Sequence, residues 1–122
     1  MIGYVTLGTN DLQRSAKFYD ELLAVIGAKR FMESERLIAW SVSPTTPGLG
    51  LIKPFDRQPA TAGNGVMVAL VVDSKAKVDT LYQKAMALGA KDEGPAGPRG
   101  EGFYAGYFRD PDGNKLNVFF MG

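Results

Sequence analysis

The apolar positions of this chain fall into two similar series. Ile2–Leu7 is a short apolar run carrying Tyr and Val, which predicts a strand. Asn10 then stands as a helix cap, with Gln13 three residues on as in a capping box. Leu12, Ala16, Tyr19, Leu22, Leu23 and Ile26 recur at helical spacing and predict one apolar stripe. Gly27 ends that helix through its freedom to take a positive φ. The series then repeats. Val66–Val72 is a near-continuous apolar run that predicts a buried strand. Asp73-Ser74 is the next cap, Val78, Leu81, Tyr82, Ala85 and Leu88 form the stripe, and Gly89 stops it. Gly27-Ala28-Lys29 and Gly89-Ala90-Lys91 lie 62 residues apart, about half the chain.

Strand-like segments follow each Gly-Ala-Lys. In the first half they are Lys29–Glu33, Leu37–Val42 and Leu49–Lys53. In the second they are a weakly patterned stretch after Lys91, then Phe103–Arg109 and Lys115–Phe120. Asp110-Pro111-Asp112-Gly113 joins the last two in the residue order of a type I turn. Gly94–Gly102 is Gly/Pro-rich and reads as a flexible loop, and so does the segment between the halves. Each half is strand–helix–strand–strand–strand, an α+β pattern. Residues 1–122 therefore form one domain with module one at 1–54, a linker at 55–64 and module two at 65–122. Two such modules predict curved sheets with helices outside and a cavity inside.

Composition narrows the chemistry. The chain has no His and no Cys. That excludes disulfides, thiolate or imidazole metal ligands, a cysteine nucleophile and a Ser-His-Asp triad. Lys+Arg 14 against Asp+Glu 13 gives a net charge of +1, too little to steer the chain to nucleic acid. No run of 18 apolar residues predicts a membrane span, and the start does not read as a signal peptide, so a cytoplasmic location is expected. Asp110-x-Asp112-x-Asn114 opens like an EF-hand loop, but Lys115 and Met121 replace the required Gly and Glu. Gly94-x-x-Gly97-x-x-Gly100 opens no helix and is no phosphate loop.

The doubled pattern, Tyr4-Val5-Thr6-Leu7 leading into Asn10-Asp11-Leu12, Phe18-Tyr19, and above all Phe108-Arg109-Asp110-Pro111-Asp112-Gly113-Asn114 resemble the glyoxalase/bleomycin-resistance/dioxygenase superfamily of vicinal oxygen chelate proteins. The resemblance covers essentially the whole chain. It implies two tandem βαβββ modules forming a curved mixed sheet around a central cavity. It also implies metal ligands from the first and last strands of each module. Those positions fall on Tyr4, Met67, Asn117 and either Gly50 or Ile52. A phenol, a thioether and a carboxamide are a poor set for a divalent ion, so neither metal nor other cofactor is expected.

The expected function is binding of a small apolar or aromatic molecule between the modules, as in the bleomycin-resistance branch. Tyr4, Trp40, Met67, Tyr107, Arg109 and Asn117 are the candidate binding residues; no catalytic residue is assigned. If Phe108 faces the helices, strand alternation turns Tyr107 and Arg109 toward the cavity. Arg109 is alternatively a partner for Asp110 or Asp112. Loop residues Arg99 and Glu101 are further candidates for clamping an anion. The resemblance also leaves open a glyoxalase-like lyase or isomerase acting on a small carbonyl compound, or a dimeric scaffold. Sheet edges and the family resemblance predict a homodimer.

Overall fold

The computed structural model describes all 122 residues. Its first compact unit is Met1–Thr61 and its second is Ala62–Gly122. In the first, β1 (Tyr4–Gly8) leads into α1 (Leu12–Ala24), then β2 (Lys29–Glu33), β3 (Leu37–Ser41) and β4 (Gly48–Ile52). The second repeats the order with β5 (Val68–Val71), α2 (Lys75–Ala87), β6 (Lys91–Pro98), β7 (Phe103–Arg109) and β8 (Lys115–Met121). The strands form two four-stranded sheets, β1-β4-β3-β2 and β5-β8-β7-β6. In each sheet the outer strand β1 or β5 pairs in parallel, and the other pairings are antiparallel.

The helices sit where the apolar stripes require. Leu12, Ala16, Phe18, Tyr19, Leu22 and Leu23 are buried on α1, and Val78, Leu81 and Ala85 on α2. Both helices stop as the glycines predict. Gly27 and Gly89 take φ of 77° and 91°, and the amides of Ala28 and Ala90 reach back to Leu23 and Ala85 carbonyls. Ser74 caps α2, its side chain accepting from the Lys77 amide at 3.1 Å.

The α1 cap differs from expectation. Asp11 caps it, accepting from the Arg14 amide at 3.1 Å. Asn10 instead accepts from the Ala60 amide at 2.7 Å and donates to its carbonyl at 3.1 Å, pinning the far end of the segment after β4. Two adjacent Asx residues offer the same cap chemistry, so only the tertiary partner separates them.

Residues 94–98 also differ: they belong to β6 rather than to a loop. Register shifts between Asp92 and Gly94 and between Gly94 and Gly97 bend this strand. Pro95 and Pro98 are tolerated because β6 lies at the sheet edge. The Asp110–Gly113 turn forms as predicted, the Gly113 amide donating to the Asp110 carbonyl at 2.9 Å. Asp110 Oδ1 also accepts from the amides of Asp112 and Asn114, both at 2.9 Å. No helix is long and apolar enough to cross a membrane.

Candidate functional site

Each sheet has one face against its helix and one face free of it. Phe108 is fully buried toward α2, and Gly106 shares that side: a Cβ there would stand 2.9 Å from the Tyr82 ring. Alternation therefore places Tyr107 and Arg109 on the helix-free face. The pairing Tyr107↔Asn117↔Ala69 carries Asn117 onto the same face.

Asn117 is 2% exposed, and its Oδ1 has no hydrogen-bond partner. Its β7 neighbour Tyr107 is flanked by two cations, the Arg99 guanidinium at 5.6 Å and the Lys115 ammonium at 5.7 Å from the ring centre. Arg99 is held there by the Pro95 and Pro98 carbonyls. Met67, Arg109 and Lys115 line one recess of about 540 Å³ with Asn64 and Val66.

Arg109 reaches a carboxylate on β6 and a carbonyl of the β7–β8 turn. Its Nε donates to Glu93 at 2.5 Å and its Nη1 to the Gly113 carbonyl at 3.0 Å. The Arg109 bond holds the Glu93 carboxyl below its ordinary value. Arg109 thus ties the β7–β8 turn to β6. Glu93 escaped the sequence reading because β6 carries no regular alternation.

In the first unit, Val5, Leu7, Leu49, Leu51, Ile38 and Trp40 share the α1 side by register. Trp40 therefore faces α1 rather than the helix-free face, where a binding residue was expected. It packs on Tyr19 at 5.6 Å between ring centres and donates its indole N–H to Asp20 at 2.9 Å. Asp20 also receives Arg30 at 2.8 and 2.7 Å, and these bonds hold its carboxyl below the ordinary value. A large apolar side chain on the helix side of a sheet is core.

Tyr4 lies on the helix-free face, 53% exposed, and lines a cleft of about 670 Å³. Gly50 and Ile52 both share that face, opposite Thr6 and Gly8. Thus Tyr107 and Asn117 are neighbours, Met67 and Arg109 share a recess, and Tyr4 belongs to a cleft of its own unit. Sequence reasoning missed Lys29, Phe31 and Ser41 in that cleft. Their one available signal was a cation and an aromatic residue on a short strand, Lys29–Glu33.

The profile of the Glyoxalase/Bleomycin resistance protein/Dioxygenase superfamily matches residues 1–118. The chain belongs to this superfamily. A glyoxalase/bleomycin resistance protein from Albidiferax ferrireducens T118 is 35% identical, covering 98% of this chain and 97% of its own, with a TM-score of 0.89. A glyoxalase-related enzyme from Fulvimarina pelagi is 25% identical over 98% and 87% of the two chains, with a TM-score of 0.78. Lactoylglutathione lyase from Agrobacterium tumefaciens is 25% identical over 98% and 92%, with a TM-score of 0.72. No match is found among curated proteins.

The metal that the superfamily implies does not fit this chain. The positions that would hold it carry Tyr4, Met67, Asn117 and Gly50 or Ile52, which offer no carboxylate or imidazole. Nor do three His, Cys, Asp or Glu side chains converge anywhere in the molecule.

Proposed function

We propose that this superfamily member binds a small apolar or aromatic molecule on the helix-free faces of its sheets, without a metal. The observation that carries the reading is the Asn117 carboxamide, buried beside the Tyr107 ring with an unpaired oxygen. Leaving a buried polar atom unpaired costs about 1–3 kcal/mol, which the fold alone has no reason to bear. That oxygen has no exposed surface, so a ligand O–H or N–H group satisfies it once the side chains over it shift. Half-exposed Tyr4 and Met67 add apolar contact surface on these faces.

Thermal-shift screening of small aromatic compounds tests this. A ligand present at a hundredfold excess over its Kd stabilises the chain by about 2.7 kcal/mol. A broad screen that moves the melting temperature with no compound would sink the proposal. A second reading, a lyase or isomerase acting on a small carbonyl compound, is favoured by the likeness to lactoylglutathione lyase. Turnover of a hemithioacetal that a chelator abolishes would establish that reading in place of the first. We also propose that the chain pairs as a homodimer through the open edges of its sheets, which light scattering checks.

A further inference from the structure

We propose that the cleft at the Tyr4–Lys29 end of the first sheet takes a small planar aromatic carboxylate, its ring against Tyr4 and Phe31 and its carboxylate on Lys29. This rests on the reading that the helix-free faces bind small aromatic molecules, and adds a ligand class for the first sheet alone.

The sheet order β1-β4-β3-β2 sets four residues in a row across the helix-free face. Tyr4 pairs with Gly48, and Lys29 pairs with Ser41. Trp40 opposite Leu49 puts Ser41 next to Gly48, which closes the row. Three strand spacings separate the Tyr4 and Lys29 backbones by about 14 Å. Side chains stand roughly perpendicular to a sheet, so Tyr4 and Lys29 rise at the two ends of this row with Gly48 and Ser41 between them.

Phe31 supplies the second wall through a local irregularity. β2 slips register between Arg30 and Met32, and the bulged residue is Phe31. Its ring lies over Gly48: a Cβ there would stand 2.7 Å from Phe31 Cε1. A bulge that re-aims a side chain over a glycine floor is a device of binding edges. Phe31 and Tyr4 each remain about half exposed, and the Tyr4 hydroxyl makes no hydrogen bond within the chain. Two such rings beside one floor are apolar surface that the unit itself leaves open.

Charge selects the anion. No Asp or Glu lines the cleft, and its cations are Lys29 and Arg30. Arg30 is committed to Asp20 and Glu33, both at 2.7 Å. Lys29 makes no ion pair. The neighbouring hydroxyls are likewise committed: Ser41 and Thr46 both donate to the Ser43 carbonyl. The cleft therefore offers an anion one cation outside any ion pair, set at the end of an aromatic slot.

The test is amide chemical-shift titration of the full chain with benzoate and with neutral benzyl alcohol, at low salt. Benzoate is expected to move the amides of Gly3, Gly27 and Ser43, with benzyl alcohol about fivefold weaker, the weight of one half-exposed ion pair. Lys29→Gln, at an exposed position, is expected to bring benzoate down to the benzyl alcohol level. Gly48→Ala, which sets a methyl where the Phe31 ring now lies, is expected to weaken both compounds. Equal binding of the two compounds, indifference to Lys29→Gln, or shifts confined to the Met67–Lys115 recess would overturn the carboxylate assignment and leave the binding reading standing. No shift with either compound overturns the assignment, and a failed aromatic screen alongside it removes the binding reading too.

Discussion

Replacing Asn117 with valine is expected to stabilise the protein while weakening ligand binding. The carboxamide is 2% exposed on β8 and its Oδ1 is unpaired. Removing an unsatisfied buried acceptor recovers about 1–3 kcal/mol. Valine suits a strand position and adds apolar burial. Its slightly larger, differently shaped side chain gives back roughly 1 kcal/mol through imperfect packing. The net expectation is about 1 kcal/mol of added stability, a rise in melting temperature of about 4 °C for a chain of this size. Thermal denaturation followed by circular dichroism without ligand measures the first effect. The ligand-induced shift of the same transition measures the second. A fall of several degrees in the free protein would refute the reasoning, because the carboxamide would then be supporting the fold. Asn117→Asp sharpens the point. A carboxylate in that place is expected to destabilise the protein at neutral pH and to do so less as pH falls, because burial raises the pH at which it takes up a proton.

Two further outcomes follow from the ionisable groups, and a third concerns metal. Asp20, held below its ordinary value by Arg30 and then Trp40, contributes stability above pH 3.8 that is lost as pH falls through its lower folded value. Asp20→Asn is expected to flatten the acid limb of stability, costing only about 1 kcal/mol at pH 7 because the carboxylate is 39% exposed; Trp40 fluorescence in urea at pH 7 and pH 3 reads it. The Tyr82 hydroxyl, pushed up to about 12 by burial and then by its bond to Asp92, contributes stability present below pH 10 and lost on the way to pH 12. Tyr82→Phe is expected to shallow the alkaline limb of a pH–melting curve without abolishing it, since Tyr104 is also raised through its bond to Asp79. Lastly, a chelator is expected to leave the melting temperature of freshly purified protein unchanged; a drop of several degrees, restored by one divalent ion, would reinstate a metal.

The helices, their glycine stops and the Asp110–Gly113 turn were legible in the amino-acid pattern. Each is set by a few consecutive residues: an apolar stripe repeats within one helix, and a positive φ is a property of one glycine. The family was legible as a resemblance, carried by the doubled order and by Phe108–Asn114, and the resemblance implied that Tyr4, Met67 and Asn117 stand at its first-strand and last-strand positions. The facing of Tyr107 and Arg109 was also legible, because strand alternation carries parity outward from one known core residue, Phe108.

What lay beyond the sequence was decided by pairing between distant residues. Trp40 belongs to the core because its antiparallel pairing with Leu49 turns it toward α1, whereas the apolar run Leu37–Trp40 carries no alternation to say so. Phe31 owes its place to a one-residue slip in β2, which reverses parity without any mark in composition. Lys29, Ser41, Gly48 and Tyr4 meet because β4 inserts between β1 and β3. A chain's own pattern records only the period of its side chains. Which face that period turns inward, and which distant residues share it, depends on register, a property of two strands at once.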